Sequence, residues 1–291
     1  LPPQLHAGDH RGDPDFVRAL HAARLRAVLV HALNQHGFSH GRRATAEGVD
    51  LNRNAVDFLS PRPRNDDYAA LHPLLVPAAW PPPDASERAL LDTVRRMGLR
   101  AFQAVVTAGQ YDHPQGLFYG GHRATWALRV FEGLLAGLVR DRLPIVWIDL
   151  HTGLGPFGQA ERIFTGGAGP AADALALACA LWGEVTQPDD GSAVSAALNG
   201  SLPSLARERL GSLLKASLTW ERGTVPPLTV LQALRADASA HQSVTPDPAL
   251  RDAACALMRD AFCPDSGAWR HAVLTQGRAV VEAVVRSSAW L

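Results

Sequence analysis

The chain has 291 residues, 28 basic and 28 acidic side chains, and 47% apolar residues. That length suits one large α/β domain or two small ones with ample core, and zero formal charge gives no electrostatic footing for nucleic acid or an anionic membrane. Three cysteines (Cys179, Cys255 and Cys263) without a CxxC pair argue against a thiolate metal site and for reduced thiols in a cytoplasmic compartment.

The elements follow from periodicity and breakers. A short amphipathic helix is expected from about Phe16 to Leu25, then a strand from Arg26 to Leu33. Gly41 to Phe58 is polar and irregular, and Pro61 to Pro83 reads as a proline-crowded loop. Asp84-Ala-Ser86-Glu87 starts a helix, with Leu90, Leu91, Val94, Met97 and Leu99 at helical spacing. Gly109 to Gly121 is a glycine and aromatic loop, and Thr125 to Leu143 a long helix. A buried strand, Pro144 to Leu150, runs out into glycine. Ala171 to Trp182 reads as a buried helix and Leu202 to Leu214 as a more polar one. Ser217 to Glu221 is a short strand stopped by Gly223. Helices are expected at Leu228 to Leu234, Ala249 to Phe262 and Ala268 to Trp290. No apolar run is long enough to span a membrane, and Leu1 to Asp13 is too polar for a secretory signal. Strands alternating with helical patterns predict a mostly parallel sheet flanked by helices.

Four stretches carry chemistry. In Asp149-Leu-His151-Thr-Gly153-Leu-Gly155-Pro-Phe-Gly158 a histidine stands at a strand's C-terminal end, where open α/β sheets bind ligands and where imidazole holds metals or moves protons. The same run fits the letters of GxGxxG, but no amphipathic helix follows it, so a nucleotide-dependent enzyme ranks last. In Gly48-Val-Asp50-Leu-Asn52-Arg53-Asn54 a guanidinium flanked by amides suits a carboxylate, with Arg43 as a second cation; a solvated turn held by Asx hydrogen bonds is the plainer alternative. In Leu218-Thr-Trp-Glu221-Arg-Gly223 a carboxylate ends an apolar strand, where desolvation raises its pKa and suits it to general-base work. A strand-end Glu221 paired with Arg222 is the alternative there. Gly109 to Gly121 suits a loop lining a cleft.

Together, HALNQHGF (31–38), RRATAEGVDLNRN (42–54), GQYDHPQGLFYGG (109–121), DLHTGLGPFG (149–158) and LTWERGT (218–224) resemble the uncharacterised bacterial (DUF2817-type) branch of the carboxypeptidase A-like zinc hydrolase superfamily. The resemblance implies a single zinc carboxypeptidase-like α/β domain over 1–291, with a mixed, mostly parallel sheet flanked by helices, and one zinc ion. It makes His151 the third zinc ligand and Glu221 the residue that moves a proton from zinc-bound water to the leaving amine. Asn52 and Arg53 would grip a substrate carboxylate, and Arg43 would steady the scissile carbonyl oxygen. The family's first two ligands lie in an HxxE motif ahead of the HALN segment. This chain has none there; His6 and Asp9 are the nearest substitute. The expectation is an N-terminally incomplete domain lacking its first strand or strands. The implied activity is hydrolysis of an amide next to a free carboxylate, in a small peptide-like or acylated amino-acid substrate. The alternative is a non-catalytic or truncated relative that keeps the carboxylate pocket without metal. Neither reading fixes an oligomeric state.

Overall fold

The computed structural model describes residues 14–167, 169–188, 190–242, 247–287 and 290. Along the chain these form α1 (Pro14–Ala22), α2 (Gln35–His40), α3 (Asp66–Leu75), α4 (Asp84–Met97), α5 (Leu99–Thr107) and α6 (Trp126–Asp141). Then come β1 (Ile145–Gly153), β2 (Ala160–Gly166), α7 (Ala171–Trp182), α8 (Leu202–Leu210) and β3 (Leu214–Gly223). The helices α9 (Pro227–Gln242), α10 (Pro248–Phe262) and α11 (Gly267–Arg286) complete the order. Among the described residues no helix is long and apolar enough to cross a membrane.

The described strands form one mixed sheet in the order β1-β3-β2. β1 runs parallel to β3 and β2 antiparallel to it, so the sheet is mixed as expected but not mostly parallel. β3 lies in the middle with nearly every residue buried. Its even positions, Ala216, Leu218 and Trp220, pack with Val146, Ile148 and Phe164 against helices that include α7 and α11. The opposite face meets α6 and α8 through Ile145, Trp147, Phe131 and Leu205. Strand residues alternate between faces, so Asp149, His151, Thr219 and Glu221 all belong to this second side. A third cluster joins α3, α4, α5, α9 and α10 around Tyr68, Leu75, Leu90 and Leu231.

Two further expectations are corrected. Arg26 to Leu33 forms no strand: it has no ladder to a neighbour among the described residues, and Leu29 is 92% exposed. A β-branched run favours extended backbone, but only paired N–H and C=O groups make a strand. Second, α3 lies inside the proline-crowded segment. Tyr68, Leu71 and Leu75 bury one face of it, and packing of that face outweighs the cost of Pro73 near its end. Ala160 to Gly166, to which the sequence pattern assigns no element, is a strand. The glycine run 153–158 therefore leads into β2, not into a helix, which removes the structural basis of the nucleotide reading.

Candidate active site

The parallel register of β1 on β3 sets His151 directly beside Glu221. Both end their strands, where glycine backbone follows. His151 Nε2 lies 2.9 Å from Asp149 Oδ2, its neighbour on the same face of β1, and Nδ1 lies 3.7 Å from Glu221 Oε2. Burial works against the charged imidazole, yet Asp149, aided by Glu221, raises its pKa to about 9. His151 is thus held between two acidic side chains that favour its charged form.

Glu221 is 5% exposed, and burial pushes its pKa up despite the nearby imidazolium. The Leu154 backbone N–H donates to its Oε1 at 3.0 Å. That donor is fixed because the loop after β1 is stitched to the end of β3. Gly158 N–H donates to Gly223 O, Gly223 N–H to Gln159 O, and Thr224 Oγ1 to Gly153 O. Arg222 does not pair with Glu221. It belongs to the other face of β3, where it is fully buried, stacks on Trp220 and donates to Gly158 O, Gln276 and Ala272 O.

The 3₁₀ turn Leu51–Arg53 supplies the cationic half of the site. Asp50 caps it by accepting the Asn52 N–H at 3.0 Å. The Asx hydrogen bond expected of a plain turn is thus present, but the turn is not solvated: Arg53 is 2% exposed. Its Nε and Nη2 donate to Thr107 O at 2.8 and 2.6 Å, and Nη1 donates to Asn52 O at 2.8 Å. A guanidinium has five N–H donors, so one remains on each terminal nitrogen. Burial lowers the Arg53 pKa to about 10, which leaves it charged at neutral pH.

One carboxylate serves both arginines. Arg43 Nε donates to Asp50 Oδ2 at 2.7 Å. Burial would raise the Asp50 pKa, but Arg43 and Arg53 together hold it below the usual range. Asp50, Arg43 and Arg53 therefore carry one net positive charge. Asn52 Oδ1 accepts the Leu202 N–H at 2.8 Å, so its NH₂ group is the end left for a ligand.

The loop 109–121 seats this turn. Tyr111 Oη donates to Arg53 O at 2.7 Å. A Cβ on Gly120 would lie 2.2 Å from Tyr111 Cε1, and one on Gly200 (φ +67°) would lie 2.4 Å from Arg53 O, so only glycine allows these approaches. Phe118 takes a left-handed φ of +54°, which costs about 1–2 kcal/mol. Its ring lies under both guanidiniums, at 4.9 Å from Arg43 and 5.2 Å from Arg53.

Arg43, Asn52, Arg53, His151 and Glu221 line one cavity of about 130 Å³. The sequence motifs also point to the loop that carries Phe118 and Tyr111. They do not reveal the Thr107 carbonyl, the Leu154 N–H or the apolar walls from α5, α9 and α10, because backbone donors and core side chains leave no motif.

Zinc is the group the resemblance implies, and a catalytic zinc takes three protein ligands. Among the described residues no group of three His, Cys, Asp or Glu side chains is placed to hold a metal ion. His151 Nε2 lies 2.9 Å from Asp149, which leaves Nδ1 as the ring nitrogen that would face a metal. His6 and Asp9 lie outside the described residues. The described residues therefore do not make a zinc site by themselves.

A family model described as a protein of unknown function (DUF2817) matches residues 15–276. No curated protein and no solved structure matches the chain.

Proposed function

We propose that this chain, which belongs to the DUF2817 family, hydrolyses the amide next to a free carboxylate in a small peptide-like or acylated amino-acid substrate. One observation carries the reading. Residues from three distant stretches line a single cavity, and the buried Arg53 there has carbonyl oxygens but no carboxylate bonded to it. A substrate carboxylate on the two free Arg53 donors and the Asn52 amide would balance the local positive charge. Arg43 donates to the carbonyl oxygen as negative charge develops there. Glu221, raised in pKa and held by Leu154, takes a proton from the attacking water as the C–O bond forms. It returns that proton to the amine as the C–N bond breaks, giving a carboxylic acid and a free amino acid.

The test is amine release from N-acetyl amino acids, followed by mass spectrometry in metal-free buffer and with added zinc. Glu221→Gln keeps shape and removes the base, so turnover should drop about a thousandfold with ligand affinity nearly unchanged. Turnover close to wild type in that variant would remove Glu221 from the mechanism. A second reading, a binding module that keeps the carboxylate pocket without catalysis, is favoured by the incomplete metal-donor set. Carboxylate-dependent binding with no turnover under either condition would select it.

A further inference from the structure

The cationic end of the cavity is one wall, and the remainder has a different chemistry. α5 reaches Arg53 through the Thr107 carbonyl at its C-terminal end. Leu99, Phe102 and Val106 lie along one face of that helix, spaced three and four residues apart, and all three line the cavity. At 1.5 Å per residue this stripe runs about 12 Å from the arginine to the N-terminal end of α5. Across from it stand Leu228 and Leu231 of α9 and Phe262 of α10. The charged residues lining the cavity are Arg43, Arg53 and Glu221, which take part in the proposed function, and His151, which is paired with Asp149.

From this we infer that the residue bearing the substrate carboxylate has an uncharged apolar side chain, and that Leu99 sets the preference. The inference rests on the proposed reading of the same cavity. With the carboxylate on Arg53, the neighbouring side chain lies against α5. A charged group placed there would lose water and gain no partner. An aliphatic or aromatic one would replace water on Phe102, Val106 and Leu231, each buried methylene strengthening binding about fourfold. Leu99 is 44% exposed, unlike Phe102 and Val106 at 3% each, so it marks the outer end of the stripe. It is also the first residue of α5, where a carboxylate suits the helix dipole. A glutamate there is therefore compatible with folding.

The experiment is calorimetric titration of the full chain with N-acetyl derivatives of glycine, leucine, phenylalanine, aspartate and lysine, with N-acetylleucinamide as control. Leucine and phenylalanine derivatives should bind at least tenfold tighter than glycine, and aspartate and lysine more weakly than glycine. Leu99→Glu should lower leucine affinity severalfold and raise lysine affinity about tenfold, whereas Leu99→Gln should lower the first without raising the second. Carboxylate-dependent binding with equal affinity for all side chains would overturn this inference and leave the proposed function standing. Leucinamide binding as tightly as the acid, or no binding at all, would overturn both.

Discussion

Replacing Arg53 separates a carboxylate receptor from a structural arginine. Three of its donors hold the Thr107 and Asn52 carbonyls, and two remain for a ligand. Arg53→Ala leaves both carbonyls short of a partner, at about 1–3 kcal/mol each in stability. It also removes the charge-assisted fork, worth about 2–4 kcal/mol in binding. At 1.4 kcal/mol per tenfold, that is a loss of about 30- to 700-fold for a carboxylate ligand. The folding cost falls on every ligand, so a cycle cancels it. N-acetylleucine and N-acetylleucinamide are titrated into wild type and variant, and only the acid should lose the full factor. Arg53→Lys keeps charge without the planar fork and should lie between the two. Equal losses for acid and amide in Arg53→Ala would show that the guanidinium supports the loop and receives nothing.

Three further outcomes are expected. Asp237 is buried, with Arg42 Nε at 3.0 Å and His241 Nδ1 at 3.2 Å. Burial would raise its pKa, but the His241 and Arg42 hydrogen bonds hold it below the usual value. Its contribution to stability is therefore present above the unfolded pKa, about 3.9, and disappears as pH falls through the lower folded value. Urea melts should show Asp237→Asn about 3 kcal/mol less stable at neutral pH, with the gap closing below pH ~4; a constant gap would refute this. Leu218→Ala, at a fully buried site in the central strand, should cost about 2–5 kcal/mol by the same assay, and a cost under about 1 kcal/mol would mean the strand is not core. Elemental analysis of the dialysed chain should find far less than one zinc per chain, since the described donors do not complete a site. One tightly held zinc, lost in both His151→Ala and His6→Ala, would make His6 a ligand.

How much was legible depended on what each feature needed. The ends of β1 and β3 could be read because an apolar run stopping at glycine is local information. Their adjacency is tertiary, yet both site residues sit at strand ends, so the parallel register brought His151 and Glu221 together. Arg26 to Leu33 misled because extended propensity says nothing about a neighbour to pair with. α3 was hidden because proline density outweighs three well-spaced apolar positions in a local reading. β2 was missed because Ala160-Glu-Arg-Ile-Phe does not alternate, its register being broken near Phe164. Arg53 could be flagged by type, but its burial under Phe118, Tyr111 and Gly200 came from loops far away in sequence.

The proposed general base, Glu221, and the proposed carboxylate receptor, Arg53, rest on parts of the molecule that open differently. Glu221 stands on the central strand, which is buried on both faces, so its ladder amides are expected to exchange only when most of the domain unfolds. Arg53 stands on a single 3₁₀ turn held by loop contacts, among the pieces that fluctuate at lower free-energy cost. Native-state hydrogen exchange would then divide the cavity, with slow amides around 217–221 and faster ones around 50–54 and 109–121. Substrate affinity would respond to mild denaturant well before the acid–base geometry does. On the proposed reading, recognition in this cavity is the adjustable half and chemistry the fixed one.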